Sequence, residues 1–317
     1  MSQALSPESW ANYWRGSAAA DAFAEGGVNH PAVSGFWQMF LDEGLLAPGQ
    51  RVLEVAAGSG DLSYRLYDRF GDALDYFALD YSNLALDHLR QRVPGATVFA
   101  ADAARPPLAP GAFDAVLSQF GVEYAGDDAI VGLAELVAPG GCIGLALHCT
   151  GSSIHADSNA SCHVLNAFQE LGFLDTAAAV FAAGQHALQT GETADYQHKA
   201  AGLSLVLTQV DGLCERIKGC SAALTISRIA DDVVSLHDSL ERQDCAAILA
   251  WLQRLQDEMG PYRERFQAMC DAAQTPERIA RSCAAFEARG FNIVFKALLR
   301  TGPDDDPAGV GLILQRQ

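Results

Sequence analysis

The chain has 317 residues, half of them hydrophobic, and a formal net charge of −18. That length allows one large α/β domain or a domain with a sizeable insertion. The acidic excess weighs against nucleic acid and anionic lipid as partners, since both call for a surplus of lysine and arginine; the only lysines are Lys199, Lys218 and Lys296. No run of about 18 apolar residues exists, so no membrane span is expected. The opening MSQALSPESW has neither a basic start nor an apolar stretch, and no secretory signal is expected there. Cysteines at 142, 149, 162, 214, 220, 245, 270 and 283 form no CxxC pair and read as reduced core thiols of a cytoplasmic protein.

Residues 1–49 read as helices. A short aromatic segment runs from Pro7 to Trp14, and from Pro31 onward Val33, Phe36, Trp37, Phe40, Leu41 and Leu45 recur at helical spacing, stopping near Gly44 and Pro48. The period then changes. Short apolar runs at 51–56, 75–79, 97–101, 113–118 and 142–148 alternate with helical stretches at 61–70, 82–92 and 127–137, the pattern of parallel strands buried on both faces. After Cys149 the strand signal stops, and 151–275 reads as helices at 162–171, 176–188, 194–218, 229–242 and 246–273. A helix over 275–288 follows, with Thr275 as N-cap and Pro276 in its first turn. Two strands, 291–299 and 309–315, close the chain around the turn GPDDDP.

The stretch VLEVAAGSGDLS, 52–63, is a strand running into a glycine turn and then a helix. A P-loop needs Gly-Lys-Ser/Thr so that the lysine neutralises phosphate, but Gly60 is followed by Asp61. A dinucleotide turn needs GxGxxG, and Ser63 stands where the third glycine belongs. Glu54 lies in the first strand, Asp80 ends the second in YFALDYS, and Asp102 ends the third in VFAADAA. In a doubly wound sheet the carboxyl ends of the strands line one crevice, so these acids converge there. They suit a ligand with an amine, a ribose diol and an exocyclic amino group, and they would repel a pyrophosphate.

The segment from Glu54 to Gly60 resembles the first motif of the class I S-adenosylmethionine-dependent methyltransferases, and VLEVAAGSGDLS is similar to its version in the ubiquinone/menaquinone-type enzymes. LDYS at 79–82, ADAARPPL at 101–108, FDAVLSQFGVEY at 113–124 and ELVAPGGCIGLAL at 135–147 match the later motifs in order and spacing. The resemblance covers roughly 48–150 and 276–317. It implies an α/β fold: a doubly wound Rossmann-like methyltransferase sheet with N-terminal helices and an all-α insertion, 151–275, between strand 5 and the last helix. It implies S-adenosyl-L-methionine as cofactor. Glu54 and the backbone from Ala56 through Gly58 to Gly60 would meet its methionine part, Asp80 the ribose hydroxyls and Tyr81 the adenine. Asp102 would accept from the adenine amino group, Ala103 would donate a backbone N–H, and Gln119, with Phe120 beside it, would lie under the methionine and face the acceptor.

Methyl transfer from a sulfonium is an in-line displacement, in which the protein aligns the acceptor and excludes water. SQFG follows the fourth strand in place of the N/D-P-P-Y/F of enzymes acting on amide or base amino groups, which favours an oxygen or carbon acceptor over nitrogen. His148 ends the fifth strand and is the first candidate for a base; His155 and His163 follow on the insertion. His148-Cys149 with Cys162-His163 fits no usual zinc spacing, so no metal is expected. Tyr13 and Trp14 would fold over the cofactor or pack on the sheet. The insertion would be a lid over an apolar acceptor pocket or a dimerisation module. The expected protein is a methyltransferase acting on a small, partly apolar molecule. The alternatives are a non-catalytic cofactor-binding protein with a partner-docking helical module and an RNA or protein methyltransferase.

Overall fold

The computed structural model describes residues 30–317, so the expectations for 1–29, Tyr13 and Trp14 among them, lie outside the described residues. The chain divides into two compact units: one runs to Ala156 and resumes over Ala268–Gln317, and the other is Asp157–Gln267.

The first unit is built on β1 (Arg51–Val55), β2 (Asp75–Asp80), β3 (Thr97–Ala100), β4 (Phe113–Gln119), β5 (Val137–Leu147), β6 (Phe291–Leu299) and β7 (Gly309–Arg316). They form one sheet in the order β3-β2-β1-β4-β5-β7-β6. The first five strands are parallel, and β7 runs antiparallel to both β5 and β6. Successive residues of each inner strand serve opposite faces, as the two-residue period of a strand requires. Val52, Ala115 and Ile313 join one apolar cluster with Trp37, Phe40, Leu62 and Leu66. Leu53, Val116 and Leu314 join the other with Ile130, Cys283 and Phe286. Burial on both faces explains why these strands read as continuous apolar runs.

The helices of this unit are α1 (Pro31–Asp42), α2 (Asp61–Phe70), α3 (Asn83–Arg92), α4 (Asp127–Gly132) and, after the helical unit, α10 (Pro276–Glu287). In α1 the spaced apolar residues Val33, Phe36, Trp37, Phe40 and Leu41 are the buried ones. Their large rings fit because β5 carries a glycine beneath them: a Cβ on Gly144 would lie 3.1 Å from both Phe40 and Trp37. The architecture is thus a doubly wound Rossmann-like sheet with an all-α insertion between β5 and α10.

Three elements differ from their sequence reading, one of them the helix expected at 229–242, which runs instead over Ser221–Asp238 and is followed by a separate 3₁₀ turn. The helix expected over 127–137 stops at Gly132 and gives way to a 3₁₀ turn, because Val137 already pairs with Phe113 in the sheet. Between that pair and Ala115↔Cys142 the register shifts, so Pro139, Gly140 and Gly141 form a bulge inside a longer β5. The helix expected at 162–171 begins at Ser153. Ser152 caps it, accepting the His155 N–H at 3.1 Å, and Ser152 O accepts from Ala156. The run SSIHADSNAS reads as polar loop by composition, yet a capped first turn suffices to start the helix there.

The second unit contains most of α5 (Ser153–Leu171) and of α9 (Cys245–Ala272), with α6 (Phe173–Thr190), α7 (Ala194–Arg216) and α8 (Ser221–Asp238) between them. Cys220 precedes α8 and makes no side-chain cap. The exposed N–H groups of the first turn are taken by α5 instead. Asp157 accepts from Ser221 N at 2.8 Å and Ser221 Oγ at 2.9 Å, and Ser161 accepts from Ala222 N at 3.2 Å. Asp157 and Ser161 are four residues apart and share one face of α5, so they form a single capping surface. Pro261 lies inside α9. Among the described residues no helix is long and apolar enough to cross a membrane.

Candidate active site

The sheet order reverses between β1 and β4, and the carboxyl ends of these two strands open a crevice. Two described residues other than glycine have positive φ, Ala56 at 54° and Phe120 at 51°. They follow β1 and β4 respectively, so backbone strain is concentrated at the mouth of the crevice. The two turns also touch. A Cβ on Gly121 would come within 2.6 Å of Ala56 Cβ and 2.8 Å of Ala56 O. Ser118 ties them together, donating its hydroxyl to Val55 O at 2.8 Å and accepting from Val122 N at 3.1 Å.

Glu54 is buried at 3 % exposure. Its Oε2 accepts the Ser63 N–H at 2.8 Å and the Ser63 hydroxyl, which places the carboxyl at the N-terminus of α2. Burial pushes its pKa up to about 8, while the two bonds from Ser63 pull the other way. Among the described residues Oε1 has no hydrogen-bond partner. Asp80 ends β2 and reaches across to the glycine turn, accepting from Gly58 N at 2.8 Å and Ser82 N at 2.8 Å. Burial raises its pKa, opposed by the N–H groups of Ser82, Gly58 and Tyr81. Gly60 adopts φ 80°, and a Cβ there would strike Leu89 Cγ at 2.5 Å, so the turn needs glycine on two counts. Arg92 of α3 braces the same turn through Asp61 and through Ser59 O at 3.3 Å.

Around this core lie more exposed groups. Tyr81 is 42 % exposed. Asp102 is exposed and accepts the Ala104 N–H at 2.8 Å in a short side-chain turn, and Ala103 is half-buried beside it. Gln119, the last residue of β4, has its Oε1 fixed by the Trp37 indole N–H at 2.5 Å.

The profile of a family described as a methyltransferase domain matches residues 52–141. This segment is a methyltransferase domain of the class I S-adenosylmethionine-dependent type. The demethylmenaquinone methyltransferase of Beutenbergia cavernae is 39 % identical over 97 residues, 30 % of this chain and 39 % of that protein. The enzyme of the same name from Renibacterium salmoninarum is also 39 % identical over 97 residues. The chain thus spans about two fifths of the length of these relatives. Among solved structures, geranyl diphosphate C-methyltransferase from Streptomyces coelicolor has a TM-score of 0.37 and 16 % identity, over 45 % of this chain and 64 % of that one. A phosphoethanolamine N-methyltransferase from Haemonchus contortus has 0.34 and 22 %, over 37 % and 29 %.

In the methyltransferase domain the strand ends bring together Glu54, Ala56, Gly58, Gly60, Asp80 and Gln119. Of the three histidines singled out in the sequence, His148 alone belongs to those strand ends. It follows β5 directly, at 4 % exposure. His155 lies in the first turn of α5, and His163 is exposed on α5 within the helical unit. Sequence reasoning missed Glu123, on the 3₁₀ turn after β4. It is buried, and its Oε1 lies 2.7 Å from His148 Nδ1 and accepts the His148 N–H at 2.9 Å. The signal available was an acid inside the apolar run GVEY just past a strand end, with a histidine closing the neighbouring strand. Among the described residues no group of three or more His, Cys, Asp or Glu is placed to hold a metal ion.

Proposed function

We propose that the protein transfers a methyl group from S-adenosyl-L-methionine to a small, partly apolar organic acceptor, at oxygen or carbon in preference to nitrogen. The observation that carries the reading is the pair of buried carboxyls, Glu54 and Asp80, on a strained glycine turn at the switch point of a methyltransferase-domain sheet. The donor set fits this cofactor. A carboxylate has about four lone-pair sites, and Asp80 retains acceptor capacity for a diol beyond its bonds from Gly58 and Ser82. Glu54 Oε1 is available to a cationic or N–H group. A pyrophosphate would meet two acids where it needs donors.

Bound at this site, the cofactor supplies an electrophilic methyl carbon on a positively charged sulfur. The chain's own tasks are then to hold the ribose through Asp80, to face the adenine with Tyr81, Asp102 and Ala103, and to keep Gln119 aimed by Trp37. His148, with His155 and His163 as further candidates, would take a proton from an acceptor that has one to lose.

The two curated relatives are named for demethylmenaquinone. The family match ends at residue 141, before the helical unit that begins at Asp157. The acceptor is therefore proposed by chemistry alone, as small and partly apolar. The charge of −18 weighs against nucleic acid and anionic membrane partners. Eight unbridged cysteines, seven of them buried, support a reducing, cytoplasmic setting. The helical unit is proposed as a lid for the acceptor, with a dimerisation module as the competing role.

The test is differential stabilisation. S-adenosylhomocysteine should raise the melting temperature, and NAD and NADP should not, because a ligand stabilises the native state it binds. The opposite pattern would overturn the proposal.

A further inference from the structure

Phe120 is held at φ 51°, a conformation that costs a bulky residue free energy and lasts only where its surroundings fix it. The turn it opens runs from β4 through the 3₁₀ turn Val122–Ala125 to Asp127, the first residue of α4. At the near end Ser118 Oγ accepts from Val122 N at 3.1 Å, and in the middle Glu123 accepts the backbone N–H of His148 at 2.9 Å. The far end is gripped by Arg278 of α10. Its Nε donates to Asp127 Oδ1 at 2.9 Å and Oδ2 at 3.2 Å, and its Nη2 donates to Oδ1 at 2.6 Å.

The rest of the same guanidinium holds a different segment. Nη1 donates to Asp271 O at 3.3 Å and to Ala273 O at 3.0 Å, two carbonyls at the end of α9. Carbonyls there lack partners within the helix, and a cation beside them also meets the negative end of the helix dipole. Gln274 follows and is buried. Its N–H donates to His148 O at 2.8 Å, and its carbonyl accepts from Thr150 N at 3.1 Å. The segment leaving the helical unit is thus laced to the end of β5 as a platform, and Arg278 joins that platform to the strained turn. A lysine could not do this. Five donors in a planar fork can hold a carboxylate and two carbonyls at once.

We infer that Arg278 is a positioning residue that, through Asp127, holds the strained turn after β4 against the glycine turn of the cofactor site. The inference rests on the methyltransferase reading above, and it gives the exit segment of the insertion a part in building the site. The path to the glycine turn is short. Gly121 follows Phe120, and a Cβ there would come within 2.6 Å of Ala56 Cβ. A turn released at Asp127 therefore loses its seat on Ala56. Arg281 supplies a contrast: it is exposed and only approaches Asp127 Oδ2, at 3.7 Å.

Arg278→Met removes all five donors and keeps an unbranched stem. Without any ligand, hydrogen exchange should quicken at Val122, Tyr124 and Gly126, whose N–H groups bond within this turn. Affinity for S-adenosylhomocysteine, measured by calorimetry, should fall at least tenfold. Should Arg278→Met not fold, Arg278→Lys, which keeps the charge and loses the fork, carries the same expectations. Arg281→Met removes an equal charge and should leave exchange and affinity within twofold of the parent. Phe120→Gly supplies the deciding background, because glycine takes positive φ without strain. Measured against Phe120→Gly alone, adding Arg278→Met should cost less than threefold in affinity. Equal losses in the two backgrounds, no loss in the parent background, or an Arg281→Met that matches Arg278→Met would each overturn the inference. A parent protein that does not bind S-adenosylhomocysteine would instead remove the methyltransferase reading, and exchange at the three amides would still decide whether Arg278 holds the turn.

Discussion

Trp37 and Gln119 are 82 residues apart, and the indole N–H of one donates to the amide oxygen of the other at 2.5 Å. The bond fixes the orientation of the amide: with Oε1 engaged by Trp37, the amide nitrogen is the end left to donate elsewhere. Trp37 itself is fully buried under the sheet, so its position is set by packing and it acts as a rigid anchor. Trp37→Phe should keep most of the packing and release the amide. The expected cost is about 1–3 kcal/mol from the stranded oxygen and lost bond, seen as a lower melting temperature. A drop in S-adenosylhomocysteine affinity should accompany it. A double-mutant cycle with Gln119→Leu should give a coupling energy in the range of roughly 0.5–3 kcal/mol, and additive effects would remove Trp37 from the site.

Asp80 has two duties, and they can be separated. It accepts from Gly58 N and Ser82 N within the protein, and it is the proposed ribose acceptor. Asp80→Ala should lower S-adenosylhomocysteine affinity at least tenfold by calorimetry, consistent with loss of charge-assisted bonds worth very roughly 2–4 kcal/mol together. It should also destabilise the turn by leaving the Gly58 N–H without its acceptor. Affinity equal to the parent's in a folded variant would count against the ribose assignment, whatever happens to stability.

The turns after β1 and β4 predict a rescue. Gly121→Ala puts a methyl 2.6 Å from Ala56 Cβ, far inside contact distance, so the two turns must part. Affinity for S-adenosylhomocysteine should fall by an order of magnitude or more. Adding Ala56→Gly removes the opposing methyl and relieves the positive φ of 54° at that residue. The double variant should therefore recover part of the loss. A double variant no better than Gly121→Ala would mean that the clash is with the Ala56 carbonyl alone.

The parts of this arrangement that were legible in the sequence share a physical reason. The buried strands, α1 with Phe36, Trp37 and Phe40, and α10 behind Thr275 are specified by local periodicity and caps, and they fold as read. Thr275 does accept the Arg278 N–H at 3.3 Å. The acids Glu54 and Asp80 were legible because strand ends in a doubly wound sheet converge whatever the loops do. Features set by contacts between distant segments were not. The bulge in β5 depends on its pairing with β4, and the cap of α8 comes from Asp157 and Ser161 on another helix. Glu123 stands in a short turn and reads as a surface acid until β5 brings His148 against it.

The cap on α8 can be tested within the helical unit. Asp157→Ala removes both acceptors used by Ser221 and leaves the helix start without a substitute from Cys220. The expected loss is about 0.5–2 kcal/mol, the usual range for deleting a cap. Hydrogen exchange should quicken at the first turn of α8, and Asp157→Asn, which keeps one acceptor, should lie between. Unchanged protection at Ser221 and Ala222 in Asp157→Ala would show that the cap is dispensable.

Glu54 predicts a stability profile with an unusual sign. Its pKa is raised from an ordinary value of 4.5 to about 8 in the folded protein, so over this interval the native state binds more protons than the unfolded chain. Stability must then fall as pH rises, because the slope follows the protons bound unfolded minus those bound native. The contribution is intact below about 4.5 and is lost progressively as pH climbs to about 8. Most carboxylates that fold into ion pairs behave in the opposite way, and Asp127, lowered by Arg278, is one of them here. Glu54→Gln keeps an acceptor for Ser63 and removes the titration. The parent should lose more melting temperature between pH 6 and pH 8.5 than the variant, by a few degrees, since a kilocalorie corresponds to roughly 2–4 °C in a domain of this size class. The variant should accordingly be the more stable protein at the alkaline end. Parallel melting curves for the two proteins across that range would mean that Glu54 is ionised throughout, held so by Ser63 and the first turn of α2.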